Sequence, residues 1–157
     1  MRVPVMKVVQ GDLIQLALDG AFDVIVHGCN CQCSMGAGIA LAIKRVFPEA
    51  FEADKATRKG DAGKLGSISF AELERDGHRL VVVNGYTQDH WRGRGVNVDY
   101  QALREVFRTV AEQFPGQRIG FPKIGAGLAG GDWARISNII EQELAGEDHT
   151  FVEFVQG

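Results

Sequence analysis

Two glycine-rich turns, each leading from a strand-like apolar run into a helix-like segment, constrain this chain more than any other feature. SMGAGIA (34–40) follows the run FDVIVHG, and IGAGLAGGDW (124–133) grows out of RIGFP. Glycine lets the backbone come close to a ligand. The helix behind such a turn then aims unpaired N–H groups and the positive end of its dipole at an anion. Two turns of this kind at equivalent places imply a ligand with more than one phosphate-like feature.

The remaining segments alternate in the same way. Val3 to Val9 reads as a strand, and DLIQLALDG as a short helix opened by Asp12 and closed by Gly20. FDVIVHG has the β-branched, continuously apolar character of a buried central strand. GIALAIKRVF reads as a helix ended by Pro48, and FEADKATRKGDAGK as a helix decaying into a loop. LGSISFAEL and RLVVVNGYT read as strands joined at Arg75-Asp76-Gly77. Tyr100, Leu103, Val106, Phe107, Val110 and Phe114 mark one face of a helix capped by Asp99. Asp132 caps the helix that follows RIGFP, and TFVEFV is a last strand. This alternation predicts a three-layer α/β/α sandwich with a mixed central sheet, one domain over residues 1–157.

Composition narrows the function classes. With 45% hydrophobic and 24% charged residues in 157, the chain can bury a full core. A formal charge of −3 argues against general nucleic-acid binding. MRVPVMKVVQGD is too short and interrupted for a signal peptide, and no apolar run approaches bilayer length. A cytoplasmic address follows, with Cys29, Cys31 and Cys33 reduced and no membrane partner.

Gly125, Gly127 and Gly130 spell G-x-G-x-x-G, which raises the possibility of a dehydrogenase. That reading needs an acidic residue after the next strand to hold the ribose. Only Gln156 and Gly157 follow TFVEFV, so the match is a phosphate loop without the dinucleotide fold. Gly63-Lys64-Leu65 lacks the first glycine and the hydroxyl of a P-loop. No arginine follows the three cysteines before Arg45, which counts against a cysteine-dependent phosphatase. His27, Cys29, Cys31 and Cys33 alternate without a C-x-x-C knuckle, so buried thiols are expected there, with no metal and no cofactor.

Taken in order, GDLIQLALDGAFDVIVHGCNCQCSMGAGIALAIKRVFPEA, VVVNGYTQ and FPKIGAGLAGGDW resemble a macrodomain over about Gly11 to Glu143. The branch they most resemble is that of the Appr-1″-p processing proteins, which includes ADP-ribose 1″-phosphate phosphatases. The terminal ADP-ribose protein glycohydrolases are its neighbour. The resemblance implies a site for ADP-ribose or ADP-ribose 1″-phosphate, extending to ADP-ribosylated macromolecules. Asp12, followed by Leu13, matches the acidic residue that receives the adenine amino group. Met35, Gly36, Ala37, Gly38 and Ile39 match the first diphosphate loop. Gly125, Ala126, Gly127, Leu128 and Ala129 match the second. Asn84, Tyr86 and Gln88 match the strand end lining the site, and Asn30 the loop at the distal ribose.

On catalysis the resemblance implies less. The glycohydrolase branch uses a lysine after the strand that here reads LVVVNGYT, and an aspartate in the second loop. This chain has Asn84 and Gly85 near the first position and Ala129 at the second. The reading that remains is hydrolysis of the phosphomonoester at the distal ribose. His27 is the expected acid or base, with Asn30 beside it. A module that binds ADP-ribose without chemistry is the competing expectation, as is an ADP-ribosyl hydrolase acting on a protein or nucleic-acid conjugate.

Overall fold

The computed structural model describes residues 5–33, 35–36, 38–88, 98–125 and 130–155. Its strands are β1 (Lys7–Gly11), β2 (Val24–Asn30), β3 (Ile68–Arg75), β4 (His78–Gln88), β5 (Ile119–Phe121) and β6 (His149–Phe154). The helices are α1 (Leu13–Leu18), α2 (Gly38–Val46), α3 (Pro48–Lys55), α4 (Tyr100–Gln113) and α5 (Trp133–Glu143), with a 3-10 turn at Ala62–Lys64. One six-stranded sheet runs in the order β1-β6-β5-β2-β4-β3. All neighbours are parallel except β3 and β4.

Two apolar clusters cover the faces of the sheet. On one side Val24, Val26 and Phe121 meet Leu103, Val106, Phe107 and Val110 of α4 and Ile136 and Ile140 of α5. On the other, Ile25, Leu80 and Val82 meet α1, α2 and α3 through Leu13, Ile14, Ile43 and Ala50. This is the expected three-layer sandwich with a mixed sheet.

Local signals account for the element ends. Asp12, Asp99 and Asp132 each accept a backbone N–H at a helix start, as their positions predict. The hairpin between β3 and β4 turns through Asp76 (φ 50°) and Gly77 (φ 82°), the left-handed pair that a two-residue turn requires. Pro48 follows the end of α2, as expected, and is also the first residue of α3, where its missing N–H costs nothing. β2 begins at Val24 and runs past the end of the expected FDVIVHG strand to Asn30.

Candidate functional site

The sheet itself makes a cleft. β2 and β5 are adjacent and parallel, yet the helices that follow them cover opposite faces. At such a switch point the two connections diverge and leave a crevice at the carboxyl ends of the strands, the usual ligand position in open α/β sheets. The two glycine turns stand on either side of it.

In the first turn, Met35 is buried in the core and pins the loop, while Gly36 and Gly38 are exposed. Gly38 has φ 58° and opens α2, whose first turn carries no acidic residue to neutralise the helix end. Ile39 is half-buried, and Ala37 lies outside the described residues. The second turn is closed at its neck by a hydrogen bond of 2.6 Å from Gly131 N–H to the Gly125 carbonyl. A Cβ on Gly131 would lie 2.6 Å from that oxygen and 2.6 Å from Val98 Cγ1, so only glycine fits. Gly125 (φ 76°) and Gly130 (φ 72°) take conformations that glycine alone adopts easily. Ala126, Gly127, Leu128 and Ala129 lie outside the described residues, as does the WRGRG segment.

Asp12 is exposed and its Oδ1 accepts both capping bonds, from Ile14 N–H (2.9 Å) and Gln15 N–H (3.2 Å). Oδ2 makes neither. Leu13 turns its side chain into the core. Asn30 ends β2 beside a bulge opposite Gln88, and its Oδ1 receives the Gln32 N–H at 2.9 Å.

His27, Asn84 and Tyr86 do not reach the cleft surface. All three are fully buried, with Asn84 and Tyr86 tied to residues of α3 and β3. His27 Nε2 lies 2.7 Å from Asn84 Oδ1, which can only accept, so the imidazole proton sits on Nε2. Asn84 donates to the Ala50 carbonyl (2.9 Å) and to Ser69 Oγ (3.1 Å). Ser69 Oγ is 2.7 Å from the Tyr86 hydroxyl, which donates to Asp54 Oδ1 at 2.7 Å. Burial lowers the His27 pKa to about 4 against the weaker opposing effect of Asn84, so the ring is neutral near pH 7. The sequence expectation of His27 as acid or base does not match this setting: the ring is sealed from solvent and spends its one N–H on Asn84. Tyr86, expected to line the site, instead braces β4 against α3.

The sequence reading missed the far end of this network. Asp54, Thr57, Cys33 and Lys64 gather below the loop that follows β2. Lys64 Nζ donates to Thr57 Oγ1 (2.8 Å) and approaches Cys33 Sγ (3.6 Å), over the Tyr86 ring. Burial raises the Asp54 pKa, with opposing effects from Tyr86 and Lys64. Lys64 gave no sign of this in sequence, because a lysine in GDAGK reads as solvated. Among the described residues, no group of three or more His, Cys, Asp or Glu could hold a metal ion. Nor is any described helix long and apolar enough to cross a membrane.

The fold defines a three-layer α/β protein with a crevice at the switch point of its sheet. Residues 26–140 match the Macro domain family, and the chain belongs to it. It is 36% identical over 142 residues to an uncharacterized 17.5 kDa protein of Enterobacteria phage T4, covering 87% of this chain and 88% of that one. It is 32% identical over 127 residues to a DNA ADP-ribosyl glycohydrolase of Mycobacterium tuberculosis; the match covers 78% of this chain but 34% of that protein. An ADP-ribose 1″-phosphate phosphatase of Aspergillus clavatus is 29% identical over an alignment of 191 positions that covers 94% of each chain. The macrodomain of Thermus aquaticus DarG shares the fold, with a TM-score of 0.74 at 22% identity over 94% of this chain and 97% of that one.

Proposed function

We propose that the chain is a macrodomain hydrolase that binds ADP-ribose across the β2–β5 cleft and acts at the distal ribose, converting ADP-ribose 1″-phosphate to ADP-ribose and phosphate. The observation that carries this reading is the pair of glycine turns flanking the switch point, suited to a diphosphate. Asp12 Oδ2 receives the adenine amino group while Oδ1 caps α1. Gly36 and Gly38 face one phosphate, and the turn whose neck is Gly125 and Gly131 takes the other. Asn30 stands at the distal ribose and orients the scissile group and its water. His27 holds Asn84 and the floor of the site in place and does not transfer the proton, so catalysis here is chiefly positioning. The fungal phosphatase relative supports this chemistry.

A second reading, release of ADP-ribose from a nucleic-acid conjugate, is favoured by one observation. Gly60 N–H donates to the Cys31 carbonyl (2.7 Å), which brings Arg58 and Lys59 next to the loop at the distal ribose. Both are exposed and make no ion pair among the described residues. They suit the phosphodiesters of a nucleic-acid conjugate, and the mycobacterial relative is named a DNA ADP-ribosyl glycohydrolase. Phosphate release from ADP-ribose 1″-phosphate, measured beside calorimetry with ADP-ribose and release from an ADP-ribosylated oligonucleotide, separates the readings. Binding without either turnover would make the chain a recognition module.

A further inference from the structure

The geometry points to a covalent modification site at Cys33 and Lys64, where a hydroperoxide oxidises the thiol and the lysine amine captures the sulfur as an S–N bond. Cys33 is a half-buried non-glycine residue held at φ 53° in the loop after β2. Its Sγ lies 3.6 Å from Lys64 Nζ. The amine has little freedom to leave. Lys64 is 8% exposed, its Nζ is anchored to Thr57 Oγ1, and Thr57 Oγ1 in turn donates to the Asp54 carbonyl at 2.6 Å. A second observation marks the same cluster: Asp54 Oδ2 is buried and has no hydrogen-bond partner. It is the acceptor the cluster offers for a proton leaving the ammonium. Cys29 and Cys31 are both buried, and Cys33 is the most accessible of the three.

The chemistry balances in two steps. Sγ attacks the peroxide, the O–O bond breaks, and the thiol proton leaves with the departing oxygen as water, giving a sulfenic acid. Sulfur is oxidised by two electrons and the peroxide is reduced. The neutral Nζ then attacks sulfur, the S–O bond breaks, and the hydroxide leaves as water with an amine proton. Thiol, amine and hydrogen peroxide thus become an S–N link and two waters. The link ties the loop after β2 to the segment 57–64, and a thiol reductant reverses it.

The test treats the reduced protein with hydrogen peroxide and maps tryptic peptides. The three cysteines all fall in peptide 8–44, whereas Lys64 ends peptide 60–64. The expected product joins 8–44 to 60–75, because a modified Lys64 resists cleavage, at a mass two hydrogens below the sum. Dithiothreitol should separate the pair. Cys33→Ser and Lys64→Arg should each lose it. Where a variant misfolds by circular dichroism, alkylating Cys33 of the native wild type with N-ethylmaleimide beforehand should abolish the link instead. The proposal is overturned if Cys33 goes on to sulfinate while Lys64 is cleaved normally. A joined pair that persists after Cys33 is replaced or alkylated would overturn it too.

Discussion

His27 enters the folded state without its proton, and acid therefore acts against the fold. In the unfolded chain its pKa returns to 6.5, against about 4 in the native protein. Between those values the unfolded state binds the extra proton. The stability from this residue is complete above pH 6.5 and is lost as pH falls toward 4. The loss between pH 7 and pH 5 should be about 2 kcal/mol. Urea unfolding at both pH values should show His27→Gln, which can still donate to Asn84, with a slope shallower by that amount. Equal slopes would mean that the imidazole is not sealed from water. Asp12 carries two duties that one substitution can divide. Asp12→Ala should cost ~1 kcal/mol of stability through the lost cap. By calorimetry it should also weaken ADP-ribose binding by roughly 1.5–3 kcal/mol. A lowered melting temperature with affinity unchanged would leave Asp12 as a cap alone.

Among the elements, the neck of the second glycine turn is the most exacting. Gly131→Ala places a methyl against the Gly125 carbonyl, Val98 and Ile136 at 2.6 to 2.8 Å. Overpacking of this kind costs about 1–3 kcal/mol, and here it also opens the turn. Chemical denaturation should report the loss, and ADP-ribose affinity should fall with it. Normal affinity in the folded variant would detach this turn from the ligand. The neck also shows how far sequence reading reaches. The glycine spacing of both turns is visible because it is a local backbone requirement, as are the three aspartate caps and the Asp76-Gly77 hairpin. The network from His27 through Asn84, Ser69 and Tyr86 to Asp54 is not visible. It depends on β2–β4 register and on which face each strand turns to α3, and these are set by contacts between distant residues. His27 looked catalytic because it stands beside the ribose loop in sequence, whereas its side chain points into the layer beneath. Pro48 lies just past the end of α2, as its sequence position predicts, and it also begins α3, because a proline that stops one helix is equally suited to open the next.

For the whole molecule, a ligand that binds only the native state stabilises it by mass action. ADP-ribose at a hundred times its dissociation constant should add ~2.7 kcal/mol. AMP, which reaches only one of the two proposed cradles, should raise the melting temperature far less at the same concentration. Equal shifts would remove the argument for a diphosphate. The order of the sheet has a different consequence, for the timing of assembly. Among the described residues β1 pairs only with β6, Lys7 opposite Thr150, and β6 in turn must settle beside β5. Closing so long a stretch of chain is entropically costly and slow. On the ribosome, β1 therefore emerges before β6, and Val8 and Val9 wait without their partners Phe151 and Val152 until β6 has been synthesised. The edge strand is among the first parts of the fold to be made and among the last to find its place.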